Sequence, residues 1–91
     1  MPALGFSLRG ARPNPVAGPL GVEFSLGSAD PARLALYDLA GRQVVAREVA
    51  SLGPGVHRVE LGRDARLPAG LYTLVLTQGE RRAVARAVVL R

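Results

Sequence analysis

Short apolar stretches alternate with turn-forming residues along the whole chain of 91 residues. Gly, Pro, Asn or Asp interrupts these stretches roughly every 8–12 residues, a spacing typical of an all-β sandwich or barrel. Within a stretch the polarity alternates: Val22, Phe24 and Leu26 share one side of an extended chain, whereas Glu23 and Ser25 share the other. No stretch sustains the helical period of about 3.6 residues. The pattern therefore predicts an all-β fold, an antiparallel β-sandwich.

Seven segments show this alternation between turn signals and are the predicted strands. They are Leu4 to Leu8, Gly21 to Leu26, Arg33 to Leu39, Arg42 to Val49, Val56 to Leu61, Gly70 to Thr77 and Arg82 to Leu90. Their inward-facing residues should include Leu34, Leu36, Val59, Leu61, Tyr72, Leu74 and Leu76. The segment from Asp30 to Leu36 also begins like a helix, with an Asp before a Pro. We favour a strand there because the segment leads into a hairpin turn at Asp38 to Gly41, where Gly41 supplies a positive φ.

Size and composition indicate one domain and argue against two classes of partner. Ninety-one residues suffice for a single domain, residues 1–91, and are too few for two. All twelve basic residues are Arg, dispersed from Arg9 to Arg91, and the formal net charge is +5. A nucleic-acid-binding protein concentrates such charge and interleaves it with exposed aromatic rings, of which this chain has few. No apolar run approaches the roughly 18–20 residues of a transmembrane helix. We therefore expect neither nucleic-acid binding nor membrane insertion.

The chain contains few of the residues that carry chemistry. It has no Cys and a single histidine, His57, so a zinc site would have to be built mainly from carboxylates. A Ser-His-Asp triad would lack both the strained nucleophile turn and a scaffold large enough for a substrate cleft. Most acidic residues lie near an Arg in sequence, and ion pairing accounts for them. We predict no catalytic residue, no metal site and no cofactor, so the protein is not expected to be an enzyme.

Four short motifs follow one another along the chain. The first is Pro13-Asn14-Pro15, and the second runs from Ala35 to Arg42. The third runs from Leu67 to Leu74 and contains Gly70 and Tyr72, and the last is the basic and apolar terminal segment from Arg82 to Arg91. Each has a physical role: Asp38 can accept N–H groups in its turn, Gly70 lets the chain bend, and Tyr72 can bury its ring with its hydroxyl on a polar partner. The candidate recognition residues are Pro13, Asn14, Pro15, Tyr37, Asp38, Gly41, Arg42, Gly70, Tyr72, Arg82, Arg86 and Arg91. Taken singly, each of them also fits a purely structural role.

In order and spacing, these motifs resemble the type A C-terminal sorting domain of the type IX (Por) secretion system. They are also similar to the related immunoglobulin-like domain of the flagellar hook-capping protein. The resemblance extends from about Leu8 to Arg91 and implies an immunoglobulin-like β-sandwich. It further implies recognition by the outer-membrane secretion machinery at the end of an exported protein. A sortase-like protease often removes such domains and attaches the cargo to the cell surface.

The resemblance leads to one functional hypothesis and leaves two alternatives open. The leading hypothesis is a non-catalytic sorting domain, the C-terminal module of a larger exported protein, whose partners are proteins of the secretion and sortase machinery. Its location would be extracellular or at the surface of a Gram-negative bacterium, reached through the periplasm and outer membrane. The absence of a signal peptide from Met1 to Gly10 fits such a piece of a precursor. The alternatives are a hook-cap-like, fibre or surface-layer subunit that associates through edge strands, and an ancillary domain of a secreted hydrolase.

Overall fold

The computed structural model describes residues 5–12, 14–17, 19–62 and 67–90, which form seven strands. The strands are β1 (Ser7–Ala11), β2 (Leu20–Leu26), β3 (Ala32–Tyr37), β4 (Gln43–Glu48), β5 (Gly55–Leu61), β6 (Gly70–Gln78) and β7 (Arg81–Val89). A single 3₁₀ turn at Ala50–Leu52 lies between β4 and β5. Among these residues, no helix has the length and apolar character needed to cross a membrane.

The strands pair into two antiparallel sheets. One sheet has the order β1-β2-β5 and the other the order β4-β3-β6-β7. Hairpins join β3 to β4 and β6 to β7, whereas the chain passes from one sheet to the other after β2, β4 and β5. This arrangement is that of an immunoglobulin-like sandwich. The predicted all-β fold of about seven strands is confirmed.

The core lies between the two sheets and is almost entirely aliphatic. Its most deeply buried large side chains are Phe24, Leu20, Leu26, Leu34, Leu36, Leu61, Leu74, Leu76, Val22 and Val49. The residues predicted to face inward are buried in the other strands, because each strand turns alternate side chains toward the opposite sheet. In β4 the sequence predicts Val44 or Val45 in the core, and both are only partly buried. One continuous cluster joins residues from all strands except β4, and two valines of β4 pack against its margin. Burial of this apolar surface is the main stabilising contribution to the fold.

The first strand is the one that differs most from prediction. It was expected at Leu4 to Leu8 but spans Ser7–Ala11, and Leu4 lies outside the described residues. Its pairing with β2 is irregular between Leu8 and Gly10, and this bulge lets the strand continue until Ala11 is buried opposite Val22. The other six strands begin and end within two residues of the predicted positions, and the segment that could have begun a helix is β3.

Candidate recognition surface

One carboxylate, that of Asp38, holds the turn between β3 and β4. Its Oδ1 accepts the backbone N–H groups of Ala40 at 3.0 Å and Arg42 at 2.9 Å, and its Oδ2 accepts the Arg42 Nε–H at 3.1 Å. Backbone hydrogen bonds add Asp38 N–H to the Arg42 carbonyl and Gly41 N–H to the Asp38 carbonyl. Gly41 has a φ of 86°, which residues with a Cβ rarely adopt. The predicted turn, with Asp38 as acceptor and a positive φ at Gly41, is confirmed.

The same hydrogen bonds keep Asp38 ionised. The backbone N–H of Arg42 contributes most to lowering the pKa of Asp38 from its ordinary value of 3.8, against a partial desolvation that raises it. The charge and side-chain N–H of Arg42 and the backbone N–H of Ala40 lower the pKa further. The turn therefore carries an ion pair at its base and presents Leu39, whose side chain is 80% exposed, at its tip.

The side chain of Asn14 binds the final strand along its free edge. Its Oδ1 accepts the backbone N–H of Val88 at 2.9 Å, and its Nδ2–H donates to the Arg86 carbonyl at 3.3 Å. The main chain continues this contact, since the Val16 N–H donates to the Val88 carbonyl at 2.9 Å and the Leu90 N–H donates to the Val16 carbonyl at 2.7 Å. We call these four hydrogen bonds the Asn14 clasp. The clasp joins residues 74 positions apart and covers the edge that β7 would otherwise leave open from residue 86 onward.

Gly70 and Tyr72 lie at the start of β6 and act on the inner side of the sheet. The Tyr72 ring is 5% exposed, and its hydroxyl donates to the Pro68 carbonyl at 2.6 Å. A tyrosine near the start of this strand that bonds back to the chain a few residues upstream is the tyrosine corner of immunoglobulin-like sandwiches. Gly70 has a φ of 154° where the chain enters the strand. The predicted burial and polar partner of Tyr72 are confirmed, and both belong to the fold itself.

Three cross-strand rows of side chains cover the outer face of the four-stranded sheet. The strand register places Arg82, Thr77 and Arg33 in the first row, Val84, Val75 and Ala35 in the second, and Arg86, Thr73 and Tyr37 in the third. Glu48 and Ala46 of β4 extend the first two rows. An apolar row thus lies between two rows that contain Arg. We call this surface the basic face.

The charges on the two sheets are paired differently. On the three-stranded sheet, Arg58 forms an ion pair with Glu23 at 3.0 Å and also donates to the Arg12 carbonyl at 2.7 Å. On the basic face, Arg33 lies 3.9 Å from Glu48, at the limit of an ion pair. Arg82 and Arg86 are exposed, and no acidic group of the described chain forms an ion pair with either of them. The basic face therefore carries two positive charges that form no ion pair within the described residues.

The structure separates the candidate residues into distinct groups. Tyr37 adjoins the turn formed by Asp38, Gly41 and Arg42, and Arg82 lines the same shallow depression as that turn. Asn14 and Pro15, which are joined by a cis peptide bond, lie beside Arg86. Gly70 and Tyr72 pair with Val89 and Ala87 of β7, beside the Asn14 clasp, but the Tyr72 side chain is buried in the core. Pro13 and Arg91 fall outside the described residues. A recognition role for any of these residues stays a prediction.

Gln78 is a buried polar residue that sequence reasoning missed, because the strand predicted at Gly70 to Thr77 ends one residue before it. It is 5% exposed, and its Nε2 donates to the carbonyls of Ser28 at 3.0 Å and Asp30 at 2.9 Å. Its Oε1 accepts the Gly27 N–H at 3.3 Å. The sequence does contain a signal for this burial. Gln78 follows Tyr72, Leu74 and Leu76 at the same spacing of two residues, so its side chain points to the same inner side of the sheet. These bonds attach the loop between the sheets to the end of β6.

His57 faces the end of the sandwich from the edge strand β5. Its Nε2 is 2.6 Å from the Gly53 carbonyl, which it reaches as a donor, and its ring centroid lies 5.7 Å from that of Phe24. Among the described residues, no group of three or more His, Asp or Glu side chains is arranged to hold a metal ion. These contacts place His57 against the Gly53 carbonyl and Phe24 at the edge of the three-stranded sheet.

Comparison with known proteins assigns the chain to a family. No curated protein matches it. A family model described as the secretion system C-terminal sorting domain matches residues 12–90. That match includes the Asn14 clasp, the Asp38 turn, the tyrosine corner and the whole of β7. The chain therefore belongs to the family of C-terminal sorting domains of the type IX secretion system.

Proposed function

We propose that this domain is the C-terminal module of a larger exported protein, and that the type IX machinery recognises it without any chemistry performed by the domain. The observation that carries the proposal is the family match over residues 12–90, which supports a sorting-signal role. Recognition leads to passage of the cargo through the periplasm and outer membrane and to its attachment at the cell surface. The partners are proteins of the secretion and sortase machinery.

The structure favours recognition of a surface over addition of a strand to β7. Strand addition requires a free row of backbone N–H and C=O groups at a sheet edge. From Arg86 to Leu90 that row is bonded to Asn14 and Val16, so an incoming strand would first have to displace the Asn14 clasp. The same feature weakens the alternative of a fibre subunit that assembles through this edge.

The Asp38 turn is the most defined exposed feature that a receptor can read. Five hydrogen bonds fix its shape without help from neighbouring elements. A preorganised loop loses little conformational entropy when it is bound, which is why rigid turns make effective recognition elements. We therefore assign the contact with the machinery to Tyr37, Asp38, Gly41 and Arg42, whereas Gly70 and Tyr72 act through the fold.

A reporter fusion tests the proposal. Residues 1–91 are fused to the C-terminus of a periplasmic reporter in a host with a type IX system, beside an established sorting domain and an unrelated β-sandwich of similar size. We expect export of the fusion and of the established domain, and retention of the unrelated sandwich. Surface attachment is measured by protease treatment of intact cells. Periplasmic retention of the fusion, while the established domain is exported, would refute the proposal.

The chain offers a matched pair of variants for the turn. Arg42 and Arg58 are both exposed and each donates to a carboxylate, at 3.1 Å and 3.0 Å respectively, but Arg42 belongs to the turn before β4 and Arg58 to β5 of the other sheet. If the turn is read by the receptor, Arg42→Ala lowers export and Arg58→Ala leaves it unchanged. If both substitutions lowered export equally, the loss would be explained by general destabilisation of the domain. The turn would then not be part of the recognition surface.

A further inference from the structure

We propose that the basic face, together with Leu39, is the docking surface for an acidic protein surface of the secretion apparatus. This inference rests on the proposed function, extends the contact from the Asp38 turn across the adjoining sheet face, and adds the chemistry of the partner. The partner carries carboxylates that pair with Arg82 and Arg86 on either side of an apolar patch. It is a protein surface and not a phosphate-rich membrane.

The charge pattern of the face supports an acidic partner. Arg82 and Arg86 are both exposed on the outer side of β7 and lie four residues apart, which is about 13 Å along a strand. A guanidinium group presents a planar set of donors that fits a carboxylate with two parallel hydrogen bonds. No carboxylate of the described chain occupies either group. The outer side of the other sheet has its own internal pair, Arg58 with Glu23, and presents less uncompensated charge.

The apolar row between the arginines supports a protein over a membrane surface. Val84 is 51% exposed at the β7 end of the apolar row, and Leu39 is 80% exposed on the adjoining turn. Protein interfaces combine an apolar centre with a charged or polar rim, and arginine and aromatic residues are enriched there. Half-buried Tyr37 lines a shallow depression together with Leu39 and Arg82.

The size of the face indicates a transient contact. The three rows cover roughly 15 by 15 Å, since strands lie about 4.8 Å apart and rise about 3.3 Å per residue. Even with Leu39 this footprint is below the approximately 800 Å² per partner of a standard stable interface. A small interface with charges at its rim associates quickly and releases quickly. Those kinetics suit a domain that must be passed on after recognition.

Charge reversal with a matched control tests the inference. Arg82→Glu with Arg86→Glu is compared with Arg9→Glu and Arg47→Glu, which change the net charge equally at exposed positions outside the basic face. Thermal unfolding of each purified chain confirms that both double variants fold. In the reporter assay we expect the first variant to reduce export by about tenfold or more and the control to stay within about twofold of wild type. Arg82→Lys with Arg86→Lys keeps the charge but not the paired donors, so it should recover part of the loss.

A second variant tests the apolar part, and the outcomes separate the two proposals. Leu39→Ser removes an exposed side chain and should lower export at unchanged thermal stability. Normal export of the charge-reversed chain, or an equal loss in its control, overturns the docking surface while wild-type export still supports the sorting function. Failure of the wild-type chain to be exported overturns both. Binding of the wild-type chain to anionic phospholipid vesicles that depends on Arg82 and Arg86 would assign the face to a membrane and overturn the protein partner.

Discussion

Removing the Asn14 side chain should loosen the C-terminal strand and lower the stability of the whole sandwich. Asn14→Ala eliminates the hydrogen bonds to the Val88 N–H at 2.9 Å and the Arg86 carbonyl at 3.3 Å. A net intramolecular hydrogen bond contributes about 0.5–1.5 kcal/mol, and the longer of these two lies toward the lower end. Asn14 is exposed, so water can satisfy the released groups and no burial penalty is added. We expect a loss of about 1–2 kcal/mol in the free energy of unfolding.

Urea denaturation and amide hydrogen exchange measure this effect separately. Urea denaturation gives the loss in the free energy of unfolding. In thermal unfolding of a domain of this size, the same loss corresponds to a fall of about 5–10 °C in Tm. Exchange should accelerate most at Val88, whose N–H loses its acceptor, and less at Leu90, which keeps its bond to the Val16 carbonyl. The core strand β2 should change only through the global stability.

Asn14→Asp is the matched control, because it keeps the side-chain oxygen that accepts the Val88 N–H and removes only the donor to Arg86. An ionised Oδ1 still accepts the Val88 N–H, whereas the donor to the Arg86 carbonyl is lost. We therefore expect Val88 to stay protected in Asn14→Asp and to lose protection in Asn14→Ala. A change in the free energy of unfolding below about 0.3 kcal/mol in Asn14→Ala, with unaltered exchange at Val88, would refute the clasp as a stabilising contact.

Three further predictions concern single side chains. Tyr72→Phe removes the hydroxyl that donates to Pro68 and should cost about 1 kcal/mol in urea denaturation, and an unchanged midpoint would argue against the tyrosine corner. Gln78→Leu removes three hydrogen bonds at a buried position and should cost about 2 kcal/mol, with faster exchange at the Gly27 amide; equal or greater stability would contradict this reasoning. Asp38 has a lowered pKa, so its stabilising contribution is present above its ordinary pKa of 3.8 and is lost as the pH falls through the folded value. NMR titration should place the Asp38 carboxyl below 3.8, and a midpoint at or above that value would be inconsistent with the hydrogen bonds of the turn.

The sequence predicts those features whose signals are local. Alternating polarity predicts which residues of β6 enter the core, because each strand buries one of its faces. The Asp38 turn was predictable because Asp38 and Gly41 suffice to define it within a few residues. The partner of the Tyr72 hydroxyl is likewise only four residues away. These elements need no knowledge of the sheet order.

The features that escaped prediction all join distant parts of the chain. Asn14 could be identified as a turn residue, but its bonds to β7 depend on two segments 74 residues apart meeting at a sheet edge. Gln78 has the phase of a core residue, yet its carbonyl partners lie about 50 residues earlier in a loop from the other sheet. The rows of the basic face depend in the same way on the register of β3, β6 and β7. Local pattern predicts the strands and leaves their lateral order undetermined.

The central claim is that this domain directs export through the type IX system, and the most direct test compares two hosts that differ only in the outer-membrane translocon of that system. The measurement is the fraction of a reporter fused to residues 1–91 that is found at the cell surface and in the medium. Our account predicts a surface or extracellular reporter in the competent host and a periplasmic reporter in the translocon-deficient one. The same distribution in both hosts would contradict it.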